Sequence, residues 1–189
     1  MLPAATKHES ALRSWLIASA MTGLTILGAR IALPLPMTPV PLTFQVFAVL
    51  LSGLLLGSRW GAVAQIQYLL LGAISAPVFA HGYSGSAVLL GITGGYLLSY
   101  PFAAFATGWV VERPHSTEKN LSQKAFASAA GLAVIYSLGC IWLSVATRTS
   151  LMQTIFQGAL IFLAWDSVKA VMAIGSVEIF NKLKMKRLR

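Results

Sequence analysis

Charge is scarce in this chain: 10% of its 189 residues are Asp, Glu, Lys or Arg, against about 25% in ordinary globular proteins. So few ionic groups cannot clothe a surface in water, which excludes a soluble domain. Hydrophobic residues make up 57%, and the mean hydropathy is +0.75. Lipid is therefore the solvent for most of the surface. Cysteine is almost absent. With Cys140 alone, neither an intramolecular disulfide nor a cysteine-based metal site can form. Chemical signatures are missing as well. No HExxH, GxSxG or GxxxxGK[ST] pattern occurs, and His8, His81 and His115 are scattered. Zinc proteolysis, serine hydrolysis and P-loop ATP hydrolysis thus have no motif behind them. We expect no enzyme activity, no cofactor and no metal.

What is present is a series of long apolar runs. A helix needs about 20 mostly apolar residues to cross a bilayer. Six segments qualify, at approximately 13–33, 43–58, 60–76, 94–111, 125–147 and 153–181. The second and third are short and joined by "GSRWG", which reads as a tight turn. The runs are continuous and do not alternate, so a closed β-barrel is set aside. The expected fold is an all-α integral membrane protein, a compact bundle of six transmembrane helices forming one domain over 1–189. The opening "MLPAATKHESAL" is polar and mixed, and no cleaved secretory signal is expected there.

The net charge of +9 is distributed in a way that suggests topology rather than nucleic-acid binding. Five of the fourteen basic residues fall in the last eight positions, "KLKMKRLR". With the N-terminus in the cytoplasm, eleven Lys and Arg lie inside, against Arg30 and Arg148 outside. Both termini are accordingly expected in the cytoplasm. The inner connection "VERPHSTEKNLSQK" reads as a solvated loop. Two outer connections are different in kind. "LPLPMTPVPLTFQ" carries four prolines, which fix φ and withhold donors, so it is expected extended and stiff. "SAPVFAHGYSGSAVLLGITGGY" is too apolar for a free loop and too rich in glycine for a plain helix. Irregular backbone of this sort is tolerated where it lines a cavity, so both connections are expected to form a lid and lining.

The last apolar run contains "FLAWDSVKAVMAIGSVEIF", with Asp166 and Lys169 in its middle. A charge at a helix centre costs about 2.5–3.5 kcal/mol on insertion scales, and residues three apart share a face. Two readings stand. The pair is a buried ion pair that fixes helix packing, or it faces a water-accessible cavity and binds something. In the second case a carboxylate acceptor beside an ammonium donor suits a neutral group carrying both N–H and C=O. Thr43 and Gln45 open the second helix, and Thr93 and Tyr96 open the fourth, on the same outer side. Helix N-termini there favour an anionic group, although Thr43 suits an N-cap and Tyr96 an interfacial aromatic equally well. Gln65 and Gln67 cannot both face the cavity, and either can bond a neighbouring helix. Ser14, Ala18 and Thr22 form a small-residue face on the first helix, suited to close helix approach.

The stretch "VPLTFQVFAVLLSGLLLGSRWGAVAQIQYLLLGAISAPVFA", followed by "LLGITGGYLLSYPFAAFATG" and later "DSVKA", resembles the BioY family. These are biotin-specific S components of energy-coupling factor transporters. The resemblance implies a bundle of six helices in the bacterial inner membrane, holding biotin near its outer face. It implies that Asp166 and Lys169 contact the fused ureido ring, with Gly91, Thr93, Tyr96 and Gln45 completing the pocket. At 80–82 the chain has "AHG" where small or amide residues would be expected, so His81 either replaces a ligand contact or sits in the lid. The resemblance further implies a separate energising module, a transmembrane coupling protein with two ATPases, docked on Ser14, Ala18 and Thr22. Alternatives are an S component for another vitamin, a stand-alone ion-coupled carrier, and a membrane enzyme.

Overall fold

The structure, a computed structural model, describes residues 7–113 and 121–187. Residues 1–6, His115 with most of the inner connection, and the last two residues lie outside these. The described chain is almost wholly helical. Helix α1 is Lys7–Arg30, α2 Gln45–Ala73, α3 Ser86–Leu90, α4 Gly94–Glu112, α5 Leu121–Thr147, α6 Leu151–Ile155 and α7 Ile161–Arg187. Among the described residues, four helical stretches are long and apolar enough to cross a membrane: Ala11–Arg30, Gln45–Ala73, Leu121–Thr147 and Leu151–Lys186. The protein is a helical membrane protein that passes through the bilayer several times.

The two segments expected at 43–58 and 60–76 are joined more tightly than a five-residue turn would allow. Helix α2 runs through both, interrupted at Gly57, which has φ +79° and ψ −175°. That backbone region is essentially restricted to glycine, and it reverses the chain within a single residue. The halves then lie side by side. Gln65 Nε2 donates to Ser52 Oγ at 3.0 Å, and Gln45 Nε2 donates to Tyr68 Oη at 2.6 Å. Helix α4 closes the reversal from outside. The Glu112 carboxylate accepts from Ser58 N at 3.0 Å and from Ser58 Oγ at 2.6 Å, satisfying donors that the restarted helix leaves free.

The proline-rich connection is paired as well as stiff. Strands β1 (Ala32–Leu33) and β2 (Leu42–Thr43) are antiparallel, with Ala32 opposite Thr43 and Leu33 opposite Leu42. Pro34, Pro36 and Pro39 fall in the loop between them, where no ladder donor is needed. The second outer connection holds one turn of 3₁₀ helix, Ala80–Gly82, and then α3. Phe79 is 1% exposed and meets Tyr68 edge to face, ring centroids 5.5 Å apart. This connection is anchored into the bundle, as its apolar content requires.

The final segment is one rod with a fault in it. Helices α6 and α7 are continuous through Phe156–Leu160, a single wide π turn. A π turn accommodates one more residue than an α turn, so it resets the phase of everything after it. Beyond it, Phe162, Asp166, Lys169, Ala170, Ala173, Ile174 and Val177 are buried, the i, i+4, i+7 stripe of a core-facing helix. Among the described residues, no buried side-chain nitrogen or oxygen lacks a hydrogen-bond partner, as lipid surroundings demand.

Candidate ligand-binding site

Because the buried stripe of α7 includes positions 166 and 169, both charges point into the bundle; Asp166 is 3% exposed and Lys169 5%. Lys169 Nζ lies 2.7 Å from Asp166 Oδ1. The second carboxylate oxygen is engaged from another helix: Tyr136 Oη, on α5, donates to Asp166 Oδ2 at 2.7 Å. Charge-assisted bonds of this length are the strong ones. The carboxylate is thus held in plane and orientation by one partner on its own helix and one on a neighbour.

These groups line a cavity of about 40 Å³, whose walls also include Thr43, Val46, Tyr96 and Tyr100. A second cavity of about 60 Å³ adjoins it, with Gln45, Phe79, Ala80 and Thr93 in its lining. Val40, Pro41, Thr43, Tyr96 and Tyr100 belong to both, so the two are lobes of one site. One lobe carries the charges. The other opens against the starts of α2 and α4, with Gln45 the first residue of α2 and Thr93 directly preceding α4.

Of the residues singled out from sequence, Asp166, Lys169, Thr43 and Tyr96 meet in the first lobe, while Thr43, Gln45, Thr93 and Tyr96 meet in the second. Tyr96 is tied down: its hydroxyl donates to the carbonyl of Gly158 in the π turn at 3.0 Å. Only glycine permits that approach, since a Cβ at 158 would sit 2.0 Å from the Tyr96 oxygen. Gly91 lines neither lobe, and its carbonyl accepts from Trp142 Nε1 at 2.9 Å. His81 is exposed with φ +57°, its ring facing Tyr83 at 6.2 Å. It belongs to the outer surface of the connection; its neighbour Ala80 is the one that reaches the site.

The small-residue face of α1 packs against a neighbouring helix of the same chain. Ala18 and Thr22 are 0% and 3% exposed. Thr22 Oγ1 donates to the Ala64 carbonyl at 2.8 Å and approaches Gln67 Oε1 at 2.9 Å. Small side chains let α1 settle on the second half of α2, so Ala18 and Thr22 pack within the chain, with half-buried Ser14 beside them. Gln67 is consumed in that contact. Gln65 bonds Thr25 and Ser52, so both glutamines join helices rather than face the site.

Tyr100 and Tyr136 went unrecognised from sequence. Tyr100 follows Tyr96 by four residues and so shares its face, a signal that was available. Tyr136 had a fainter one, a lone phenol in the apolar stretch "GLAVIYSLGC" of α5.

Known proteins resemble this chain in sequence and in fold. The BioY family model matches residues 4–185. The biotin transporter BioY of Thermotoga maritima is 37% identical over 176 residues, covering 93% of this chain and 100% of the relative. The probable biotin transporter BioY of Pyrococcus horikoshii is 38% identical over 151 residues, covering 80% and 85%. Among solved structures, the 2.1 Å crystal structure of the S-component for biotin from an ECF-type ABC transporter superposes with a TM-score of 0.85 at 26% identity, covering 95% of each chain. Matched along nearly its whole length by sequence and by fold, the chain belongs to the BioY family.

Proposed function

We propose that this protein is a high-affinity biotin-binding membrane subunit, an S component that mediates biotin uptake together with a separate ATP-driven module. The observation that carries the reading is the buried pair Asp166–Lys169 at the wall of a cavity. Oδ1 and Oδ2 each have one partner, which leaves about two of the carboxylate's four lone-pair sites. Lys169 has three N–H donors and gives one to Asp166. The free acceptors and donors stand next to each other, as a ureido ring requires with its N–H groups beside a C=O. Biotin's carboxylate then extends into the second lobe, where the N-terminal ends of α2 and α4 favour an anion and Gln45 and Thr93 supply polar contacts.

In this reading the halves of α2 count as two crossings, giving six with α1, α4, α5 and the α6–α7 rod. Both termini and the basic residues after Phe180 face the cytoplasm of a bacterial inner membrane. Energy comes from a coupling protein and two ATPases, and no covalent chemistry is done on the ligand. The two lobes are small beside the 300–1,000 Å³ of typical ligand pockets. A bicyclic ligand therefore fills the two lobes only as the site widens around it.

Titration calorimetry of the purified chain with biotin tests this, beside Asp166→Asn and Lys169→Met. Hydrogen bonds to charged groups contribute about 1.5–3 kcal/mol each, so each variant should bind about 10- to 100-fold more weakly or worse. Absence of binding to folded wild-type protein would remove biotin as the ligand. Unchanged affinity in both variants would return the pair to packing.

A further inference from the structure

Helix α7 is longer than the bundle it belongs to. Its last buried residue is Val177, and Glu178 is ion-paired with Lys124, in the first turn of α5. Next to Lys124, Gln123 donates to the carbonyls of Val110, Val111 and Arg113 at the end of α4. The core and the neighbouring ends of α4 and α5 therefore stop at one level. Helix α7 continues past it through residues 179–187, about 13 Å at about 1.5 Å per residue. Ile179 to Lys186 are all exposed.

This overhang has two sides. In steps of three, four and seven, exposed Trp165, Val168, Met172, Ile179 and Leu183 form one stripe along α7. It lies opposite the buried stripe and is turned to lipid. Lys182 and Lys186 fall on the same side, three and seven residues after Ile179. Lys184 does not. It follows buried Val177 by seven residues and so continues the core-facing side. The lipid-facing stripe thus turns from apolar to cationic just where the bundle ends.

Lysines at such a boundary lay their stems along apolar surface and hold the ammonium in the polar layer. Lys182 and Lys186 are one turn apart, about 6 Å along the axis, so both can reach one phosphate. Neither forms an ion pair among the described residues, and Glu178, one turn before Lys182, already has Lys124. Their charge is left for a partner from outside the chain. We propose that Ile179, Lys182, Leu183 and Lys186 form a binding site for one anionic phospholipid, its phosphate between the two lysines and its acyl chains along Ile179 and Leu183. The site is separate from the one that holds Asp166 and Lys169. It lies on the cytoplasmic leaflet in the topology proposed above, where anionic lipids attract basic segments next to the membrane.

The test uses the purified full chain, immobilised in a neutral detergent, with radiolabelled phosphatidylglycerol as the probe. Unlabelled phosphatidylglycerol, phosphatidylcholine with the same acyl chains, and inorganic phosphate compete for it. Each lysine near a membrane surface favours an anionic lipid by about fivefold. In the wild type, phosphatidylglycerol should therefore compete about 25-fold better than phosphatidylcholine, and phosphate alone should compete poorly. Lys182→Gln and Lys186→Gln should each lower that preference about fivefold, while Lys184→Gln lowers it less than about twofold. Thermal unfolding like that of the wild type shows that each exposed substitution leaves the protein folded. A wild type that holds both lipids equally well would overturn the proposal and leave the overhang to an acidic protein partner. Equal losses from all three substitutions would overturn it too, since a diffuse positive field has no preferred side. Phosphate that competes as well as the lipid would replace the lipid site with a site for a free anion.

Discussion

Removing one member of a buried ion pair and removing both should have very different consequences, and the Asp166–Lys169 pair allows the difference to be worked out. Both side chains are nearly inaccessible, at 4% and 6% exposure, with Nζ and Oδ1 2.7 Å apart. Lys169→Met leaves a buried carboxylate that keeps the Tyr136 hydroxyl as its partner. Asp166→Asn leaves a buried ammonium facing a neutral amide. An uncompensated buried charge of this kind costs about 3–5 kcal/mol. The double variant Asp166→Asn/Lys169→Met has no charge at all, and the asparagine carbonyl can still accept from Tyr136. Replacing a whole buried pair is often neutral or even stabilising. We therefore expect each single variant to lose about 3–5 kcal/mol and the double variant to lie within about 1 kcal/mol of the wild type, a strongly non-additive pattern. Stability can be read from SDS-induced unfolding in mixed micelles, followed by tryptophan fluorescence. Biotin affinity should fall by about 10- to 100-fold or more in all three variants, which separates binding from folding in one set of proteins. Two results would refute the reasoning. Single variants as stable as the wild type would mean that water reaches the pair and screens it. A double variant as damaged as the two singles added together would mean that the residues act independently.

Gly57→Ala should destabilise the protein by about 1–3 kcal/mol, because alanine is strained at φ +79° with ψ −175°. Its Cβ would also fall 2.0 Å from the Glu112 oxygen that caps Ser58; thermal unfolding in detergent checks this, and a wild-type transition would show that the reversal does not need glycine. Gly158→Ala should weaken biotin binding about tenfold, by forcing the Tyr96 hydroxyl off the π turn and out of its place in both lobes. Calorimetry decides that point, and unaltered affinity would detach Tyr96 from the site.

Legibility in the sequence followed the range of the physics involved. Helices α4, α5 and α6–α7 begin and end within a few residues of the expected limits, apart from the C-terminal extension of α7, because long apolar runs are a local property. Asp166 and Lys169 stood out for the same reason, as charges where each residue is expensive. The contact of Tyr136 with Asp166 depends on how α5 and α7 are set against each other, and no local signal encodes that register. The face of Ser14, Ala18 and Thr22 announced a close approach without naming the helix that approaches; the structure supplies the second half of α2. A single-residue reversal at Gly57 was hidden because "GSRWG" holds two glycines and looks like an ordinary turn. His81 drew attention by its chemistry, whereas its positive φ, which turns it to the surface, is a property of the backbone.

The wide turn at Phe156–Leu160 makes the buried Asp166–Lys169 pair sensitive to length in a segment some eight residues before it. A residue advances an α-helix by roughly 100°. Deleting one residue there would restore ordinary winding and revolve everything downstream by about that angle. Asp166 and Lys169 would keep their mutual spacing and their ion pair, yet swing toward lipid and away from Tyr136. The identity of the pair is written at 166 and 169, while its aim is written some eight residues earlier, in the count of residues and not in their kind. A lineage can thus exchange side chains along that turn freely, Gly158 excepted, but a one-residue change in its length would unmake the site at a stroke.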